Sequence, residues 1–306
     1  MTPSLKMTAA GLVLAAVMAA CSPPAEKAAE AVPAVAATAD TQPFRIGQLQ
    51  AVALKDGDIV LENSAAGGSP WADTAGVAEL LGTTGDGKIH LSIQPLLVRD
   101  GERTVLIDTG AGGAMGTANK LPTSLRSAGV QPGQVTDILI SHGHGDHLGG
   151  LVANGALVFP NATIRMSEPE WRAVKADPEV AALVPVITPK VQTFAFGAQV
   201  TPSITAVALD GHTAGHTGYE IASGDDRLLY FGDALHSSVI SVQRPEFVNA
   251  WDFNSDAAIA TRQNLLERAA TQSLRVYGVH FPFPGLGRIQ RQDDGFVWTP
   301  DASAAP

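Results

Sequence analysis

A six-residue run of histidine, glycine and aspartate constrains this chain more than any other feature. It reads His142-Gly143-His144-Gly145-Asp146-His147 and holds three of the eight histidines. Imidazole and carboxylate groups are the ligands that divalent zinc, iron and related metals prefer. The apolar segment before it, residues 135–141, indicates a buried β-strand, and residues two apart in extended chain point to the same side. We therefore predict that His142 and His144 bind one metal ion, which leaves Asp146 and His147 available to a second.

Three further segments each place a histidine or an aspartate at the end of an apolar run. They are Gly211-His212-Thr213-Ala214-Gly215-His216-Thr217, Leu228-Leu229-Tyr230-Phe231-Gly232-Asp233 and Val276-Tyr277-Gly278-Val279-His280. A single histidine at the end of a strand is more often structural than a metal ligand. The repeated order of strand followed by ligand nevertheless predicts that one edge of a sheet collects metal ligands from several loops.

This ordered set of motifs resembles the metallo-β-lactamase superfamily of dinuclear metallohydrolases, over residues 44–299. The resemblance implies an α/β fold, a four-layer αββα sandwich, with two divalent metal ions at the site. Zinc is the metal that we expect, and the same ligands also accept manganese, cobalt or iron.

The family's ligand roles transfer residue by residue onto this sequence. By resemblance, seven side chains bind the two ions: His142, His144 and His216 the first, Asp146, His147 and His280 the second, and Asp233 both. His212 is expected to be structural, because the second histidine of its motif is taken as the ligand. Asp108 matches the family's upstream aspartate, whose carboxylate supports the ligand loop and fixes the orientation of a ligand.

The same resemblance predicts catalysis by a hydroxide that bridges the two metal ions. Two such ions lower the pKa of a shared water molecule to about 7 and stabilise the attacked and leaving oxygens. Asp233 would hold the spacing of the ions, and Asp146 is a candidate proton carrier. His236 stands where acyl-homoserine lactonases carry a tyrosine near the substrate. It is either a hydrogen-bond donor to the substrate or a solvated loop residue, and the sequence favours neither.

Two features separate the chain from enzymes that hydrolyse β-lactams. Its only cysteine is Cys21, so the metal-binding cysteine of one lactamase subclass is absent, and Asp233 supplies a bridging carboxylate that the other subclass lacks. Residues 280–287 resemble the branch of the superfamily that contains methyl parathion hydrolase, as do residues 44–47 and the Asp56-Gly57 turn. That branch includes phosphotriesterases, lactonases and esterases.

Charge and composition favour a small, neutral and hydrophobic substrate. The net charge is −10 and no cluster of Lys and Arg occurs, which argues against nucleic-acid binding. Six aromatic residues are candidates for an apolar pocket: Trp71, Trp171, Phe194, Phe196, Phe281 and Phe283. We predict a hydrolase of phosphotriesters, lactones or related esters. The alternatives are a signal-degrading acyl-homoserine lactonase and a non-catalytic envelope lipoprotein that binds or senses metal.

The first 21 residues resemble a bacterial lipoprotein signal. Lys6 precedes the apolar residues 7–20, a stretch shorter than the about twenty residues of a membrane-spanning helix and typical of a secretory signal. Residues 18–21 resemble a lipobox that ends at Cys21, and Ser22 favours sorting to the outer membrane. We expect a lipid-anchored protein in the cell envelope that faces the periplasm. A soluble periplasmic protein is the alternative.

The chain divides into three parts in this interpretation. After the signal, residues 22–43 are rich in Ala, Pro and Glu, and such a segment is expected to be a disordered linker. Residues 44–306 form the catalytic domain, with hairpins expected around Asp56-Gly57 and Asp100-Gly101. A helix is expected over residues 255–270, with Ser255 as its N-cap. The oligomeric state stays open, with a homodimer as one alternative.

Overall fold

The computed structural model describes residues 1–4, 35–64, 66, 68–82, 85–117 and 119–301. The predicted signal segment with Cys21 and the predicted linker up to residue 34 lie outside the described residues, apart from residues 1–4. Residues 1–34 and 35–306 separate as two units, and the second unit is described below. Within the described residues, no helix has the length and apolarity needed to cross a membrane.

Strands and helices alternate along the chain as an α/β fold requires. The strands of the described residues are β1 (Thr41–Ile46), β2 (Leu49–Leu54), β3 (Gly57–Leu61), β4 (Ile89–Ile93), β5 (Leu96–Asp100), β6 (Arg103–Ile107), β7 (Asp137–Leu139), β8 (Val152–Ala153), β9 (Ala156–Leu157), β10 (Thr163–Ser167), β11 (Val191–Phe194), β12 (Gln199–Thr201), β13 (Ile204–Ala208), β14 (Thr217–Ser223), β15 (Asp226–Tyr230), β16 (Arg275–Tyr277), β17 (Leu286–Gln292) and β18 (Gly295–Pro300). The α-helices are α1 (Thr74–Leu81), α2 (Leu121–Ser127), α3 (Gly145–Leu148), α4 (Glu168–Ala176), α5 (Val184–Ile187), α6 (Ile240–Gln243) and α7 (Ser255–Thr271). Short 3-10 helices cover Pro132–Gln134, Gly149–Leu151, Thr188–Lys190 and Gly232–Ala234.

Two seven-stranded sheets carry the fold. The first has the strand order β1-β2-β5-β6-β7-β10-β11, and the second contains β12 to β18 in chain order. In the second sheet β15 and β16 are parallel, whereas β13 and β15 are both antiparallel to β14. The carboxyl ends of β13, β15 and β16 therefore lie at the same edge of the sheet. The loops that follow these strands leave from that edge.

The buried side chains form layers that match the two sheets. One cluster takes residues from both sheets, for example Ile107 and Tyr230. A second cluster packs the outer face of the first sheet against α2 and α4, and a third packs the second sheet against α7. The order is therefore helices, sheet, sheet and helices. The predicted four-layer αββα sandwich is confirmed.

The predicted hairpin around Asp56-Gly57 is wrong. The chain turns instead at Gly47, with φ of 53°, so that β1 pairs with β2, while β3 pairs with β4. Asp56 is buried, and its carboxylate accepts hydrogen bonds from the backbone N–H groups of Ala111 and Asn119, on the loop that follows β6, and of Leu121, the first residue of α2. A carboxylate engaged in this way fixes a distant loop and does not close a turn.

Two predicted boundaries also move. The ordered domain starts before Phe44, because β1 begins at Thr41 and Val35 already packs against the outer core of the first sheet. The N-cap of α7 is Asn254, whose side chain accepts from the N–H of Ala257, and not Ser255. The hairpin predicted around Asp100-Gly101 is confirmed by the antiparallel pairing of β5 with β6.

Candidate metal centre

The histidine-rich run lies just after β7, where the first sheet meets the edge described above. His142 and His144 precede α3, and Nε2 of His142 lies 3.0 Å from Nδ1 of His144. Asp146 and His147 are on α3 itself. The change from extended chain to helix directs these two side chains away from the first pair, so one short segment supplies two groups of ligands.

The second sheet supplies the remaining side chains from the loops after β13, β15 and β16. His212 follows β13, and its Nε2 lies 3.2 Å from Nε2 of His142 and 3.0 Å from Nδ1 of His144. His280 follows β16, and its Nε2 lies 3.3 Å from Oδ2 of Asp146. The side chains thus form a first ligand group of His142, His144 and His212, and a second ligand group of Asp146, His147 and His280.

Asp233, in the loop after β15, lies between the two ligand groups. Its Oδ2 is 3.6 Å from Nε2 of His212 and 3.7 Å from Nε2 of His142. Its Oδ1 is 3.2 Å from Nε2 of His147 and 3.2 Å from Nε2 of His280. One carboxylate therefore faces both groups, which is the position that the sequence prediction requires of a bridging ligand.

The structure reverses the predicted places of His212 and His216. His216 is buried just before β14, and its Nε2 accepts a hydrogen bond of 2.9 Å from the backbone N–H of Asp233. Gly232 packs directly on this ring, since a Cβ at that position would lie 2.7 Å from Nε2 of His216. His212 reaches the first ligand group because it is still in the loop. Four residues later the chain is about to enter β14, which begins at Thr217, and His216 lies behind Asp233.

Hydrogen bonds at the outer nitrogen orient three of the imidazoles. Nδ1 of His147 lies 2.7 Å from Oδ2 of Asp108, and Nδ1 of His280 lies 2.7 Å from the carbonyl oxygen of Ser92. A nitrogen that donates its proton there leaves the lone pair of Nε2 directed into the ligand group. Asp252 does the same for His212, since Nδ1 of His212 is 3.2 Å from Oδ1 of Asp252.

The ligand atoms fit metal ions better than they fit one another. Nε2 of His147 and Oδ1 of Asp233 are buried and have no hydrogen-bond partner. Lone pairs that converge to 3.0–3.2 Å in the first ligand group repel one another unless a cation lies between them. Because unpartnered buried polar atoms are costly, both groups fit divalent cations.

Asp108 supports the loop of the first sheet, as predicted. It adopts a left-handed backbone conformation with φ of 59°, and its carboxylate accepts hydrogen bonds from the N–H and Oγ of Ser141 and from the hydroxyl of Tyr230. Together with the contact to His147, these bonds occupy both carboxylate oxygens. The backbone strain of a non-glycine residue at positive φ is typical of a functional position.

Glu170 is a supporting residue that the sequence analysis missed. Its Oε1 accepts from the N–H of Gly143, and its Oε2 accepts from the N–H of Gly215 and from Oγ1 of Thr213. It therefore connects the ligand loop of the first sheet to the loop that carries His212. The sequence hides this role, because Ser167-Glu168-Pro169-Glu170 is also the pattern of a helix capping box.

Burial and charge divide the histidines into two electrostatic classes. Burial lowers the pKa of His212 to about 4 and that of His216 to about 3. Burial also opposes the charge of His147, but the carboxylates of Asp233, Asp146 and Asp108 outweigh it and raise the pKa well above the ordinary value. A metal ion bound at the second ligand group would therefore compete with a proton for His147.

A cleft of about 640 Å³ opens above both ligand groups. Its apolar wall consists of Ile59, Leu61, Leu91, Met115, Ala250 and Trp251. None of the six predicted pocket aromatics lines it. Phe281 and Phe194 belong to or pack against the core clusters, and Trp71 is buried behind His236. Trp251, which no motif marks, supplies the aromatic wall instead.

His236 lines the same cleft and is buried. Its Nε2 lies 3.3 Å from Oδ2 of Asp233, and its ring packs against both Trp71 and Trp251, which also contact each other. The alternative that His236 is a solvated loop residue is therefore wrong. The structure places its ring at the wall of the cleft.

Comparisons with known proteins agree with this arrangement. A family model described as the metallo-beta-lactamase superfamily matches residues 91–280. The solved structure of AidC, a dizinc quorum-quenching lactonase in complex with the product N-hexanoyl-L-homoserine, is 32% identical, covers 86% of this chain and 98% of AidC, and has a TM-score of 0.79. The hydrolase AbOPH of the β-lactamase superfamily is 27% identical, with coverage of 87% and 99% and a TM-score of 0.78.

A curated relative from Xenopus laevis, metallo-beta-lactamase domain-containing protein 1, is 31% identical over 157 residues. The match covers 51% of this chain and 53% of the relative, so the chain spans about half the length of that protein. The fold, the two ligand groups and the family match lead to one conclusion. This chain belongs to the metallo-β-lactamase superfamily and is a metal-dependent hydrolase.

Proposed function

We propose that the enzyme hydrolyses the ring ester of neutral lactones that carry an apolar chain. The observation that carries this proposal is the cleft, in which the two ligand groups form the floor and apolar side chains form the wall. Among the described residues that line it, none is Lys or Arg, so an anionic group on the substrate chain finds no basic side chain along the wall. The similarity to AidC, a lactonase, supports the same substrate class.

The proposed cofactor is a pair of divalent metal ions, with zinc as the first choice. Nitrogen and carboxylate ligands of this kind suit zinc. The first ligand group would hold one ion, the second ligand group the other, and Asp233 would contact both. When bound, two such ions lower the pKa of a water molecule and polarise the ester carbonyl.

The chain's own residues would orient the ester and handle the proton. The apolar wall around Trp251 would bind the chain of the lactone and exclude bulk water from the ring. His236 would donate a hydrogen bond from Nε2 to a substrate oxygen. As water adds to the carbonyl carbon and the ring C–O bond breaks, Asp146 would take the proton of that water and pass it to the departing ring oxygen. The product is an open-chain hydroxy acid.

An activated aryl phosphotriester is the second candidate substrate. Residues 280–287 resemble the corresponding segment of the methyl parathion hydrolase branch, and the neutral, apolar cleft suits an uncharged aryl ester equally well. The branch assignment stays a prediction. A signal-degrading acyl-homoserine lactonase is a narrower form of the first proposal.

A substrate panel on zinc-loaded protein tests these proposals. It contains a short-chain and a long-chain acyl-homoserine lactone, an unsubstituted lactone, an aryl phosphotriester, an aryl ester and a cephalosporin. We expect kcat/KM for the best lactone to exceed that for the cephalosporin at least tenfold, which corresponds to about 1.4 kcal/mol in transition-state binding. A phosphotriester as the best substrate would move the assignment to the second candidate, and a β-lactam would contradict both.

We also propose that the full-length protein is anchored in the bacterial envelope through a lipid on Cys21. The support is the lipobox-like sequence of residues 18–21. Expression in bacteria with a labelled fatty acid should give labelled protein in the membrane fraction, released by detergent and not by salt. Labelling that survives Cys21→Ala would contradict the proposal.

A further inference from the structure

The segment of residues 249–252, between α6 and α7, contacts two histidines of the site. At one end, Asn249 is buried, and its Nδ2 lies 3.4 Å from Nδ1 of His236. At the other end, Oδ1 of Asp252 lies 3.2 Å from Nδ1 of His212. The role of Asp252 is that of an ordinary partner to a ligand. Asn249 does something different, because His236 belongs to neither ligand group.

The direction of the Asn249 amide follows from its second contact. The backbone N–H of Trp251 donates to Oδ1 of Asn249 over 2.9 Å. The amide oxygen is thereby engaged, so the amide nitrogen faces His236. An amide nitrogen can only donate, which means that Nδ1 of His236 must accept. In a neutral imidazole the proton is then on Nε2.

The surroundings of His236 keep this arrangement in place. Trp71 meets its ring edge-on and Trp251 packs against it at a centroid distance of 5.1 Å. The ring is also stacked on His280, with an interplanar angle of 7°. Rotation of the ring is therefore hindered. On the opposite side Nε2 lies 3.3 Å from Oδ2 of Asp233, and a carboxylate there favours a proton on Nε2.

We infer that Asn249 is a positioning residue that fixes His236 in the tautomer with the proton on Nε2. In this tautomer the N–H is directed toward Asp233, which lines the same cleft as His236. There it donates to the substrate oxygen on which negative charge develops, a preorganised donor of the kind that lowers the barrier of ester hydrolysis. The catalytic part of the inference rests on the proposed function. The tautomer itself depends only on the contacts of Asn249.

Nitrogen NMR of histidine-labelled, zinc-loaded protein measures the tautomer directly, with His236→Ala used to assign the signals. We expect a protonated Nε2 and an unprotonated Nδ1 for His236. Asn249→Asp should place a proton on Nδ1, because a carboxylate can only accept. The matched control is Asn254→Asp, which makes the same change five residues further on. Asn254 is exposed and caps α7, and aspartate caps equally well, so this control should leave the His236 signals unchanged.

Kinetics on the best lactone of the panel complete the test. Asn249→Asp should lower kcat at least about tenfold and change KM less than twofold, and it should add nothing in a His236→Ala background. A wild-type ring protonated at Nδ1 overturns the inference, whether or not Asn249→Asp folds. Unchanged kcat in a variant with a moved proton overturns the catalytic part. If NMR shows the expected tautomer but no lactone is turned over, the result supports the positioning of His236 by Asn249 and contradicts the proposed function.

Discussion

The backbone N–H of Asp233 donates to Nε2 of His216 over 2.9 Å. A histidine outside both ligand groups thus fixes the backbone of the carboxylate that faces them both, while His212, four residues earlier, contributes directly to the first ligand group. Replacing His212 should therefore affect metal binding, whereas replacing His216 should affect stability.

We predict that His212→Ala removes about one metal ion per chain, whereas His216→Ala keeps both ions at saturating zinc. His216→Ala should instead lower the free energy of unfolding by about 1–3 kcal/mol, the usual effect of losing a buried hydrogen-bond partner. Elemental analysis and urea unfolding measure the two effects. Equal metal loss in both variants would restore His216 as a ligand.

The depressed pKa of His216 predicts a pH dependence of stability in metal-free protein. Burial lowers this pKa to about 3, below the value of about 6.5 in an unfolded chain. The unfolded chain therefore binds the extra proton as the pH falls between 6.5 and 3, and the stability that is complete above pH 6.5 declines through that range. Chelator-treated wild type should lose more unfolding free energy between pH 7 and pH 4 than His216→Gln does. If the unfolding free energies of the two proteins change in parallel with pH, the prediction is contradicted.

Glu170→Gln should loosen the connection between the two ligand loops. The two carboxylate oxygens of Glu170 accept hydrogen bonds from the N–H groups of Gly143 and Gly215. In glutamine an NH₂ group replaces one of these oxygens, so one N–H donor would face another donor. We therefore expect a loss of about 1–3 kcal/mol in stability and weaker zinc binding. The control is Glu168→Gln in the same helix, where the side chain is exposed and pairs with Arg172 within one helical turn. Such a pair contributes about 0.3–0.5 kcal/mol. If the two variants lose stability equally, Glu170 does not hold the loops.

Trp251→Ala should raise KM for a long-chain lactone more than for a short-chain one. The indole forms part of the apolar wall and is 36% exposed, so its loss removes contact area that only a long substrate chain covers. Phe253→Ala is the control, because this ring is 79% exposed and does not line the cleft. Steady-state kinetics with both lactones give the comparison. A chain-length preference that Trp251→Ala leaves unchanged would place the apolar chain elsewhere.

The sequence was sufficient for the fold class and for most of the side chains that the structure brings together in the two candidate ligand groups. Motifs at the ends of apolar strands indicate both the fold class and the candidate ligands, because parallel strands end at a common sheet edge. The strands β15 and β16 do so before Asp233 and His280. The choice between His212 and His216 failed because it depends on where β14 begins, and strand starts are poorly marked in sequence. Trp251 belongs to an irregular loop, so no periodic pattern could place it at the cleft.

Each ligand group takes two side chains from the segment after β7, which includes α3, and one from a loop of the second sheet. His212 completes the first group and His280 the second. An ion bound in either group would consequently cross-link the two sheets, as a disulfide would in a protein with paired cysteines. Metal binding and the packing of one sheet on the other would then be thermodynamically coupled. A substitution far from the site that weakens the contact between the sheets should be detectable first as faster loss of zinc to a chelator, before any loss of secondary structure.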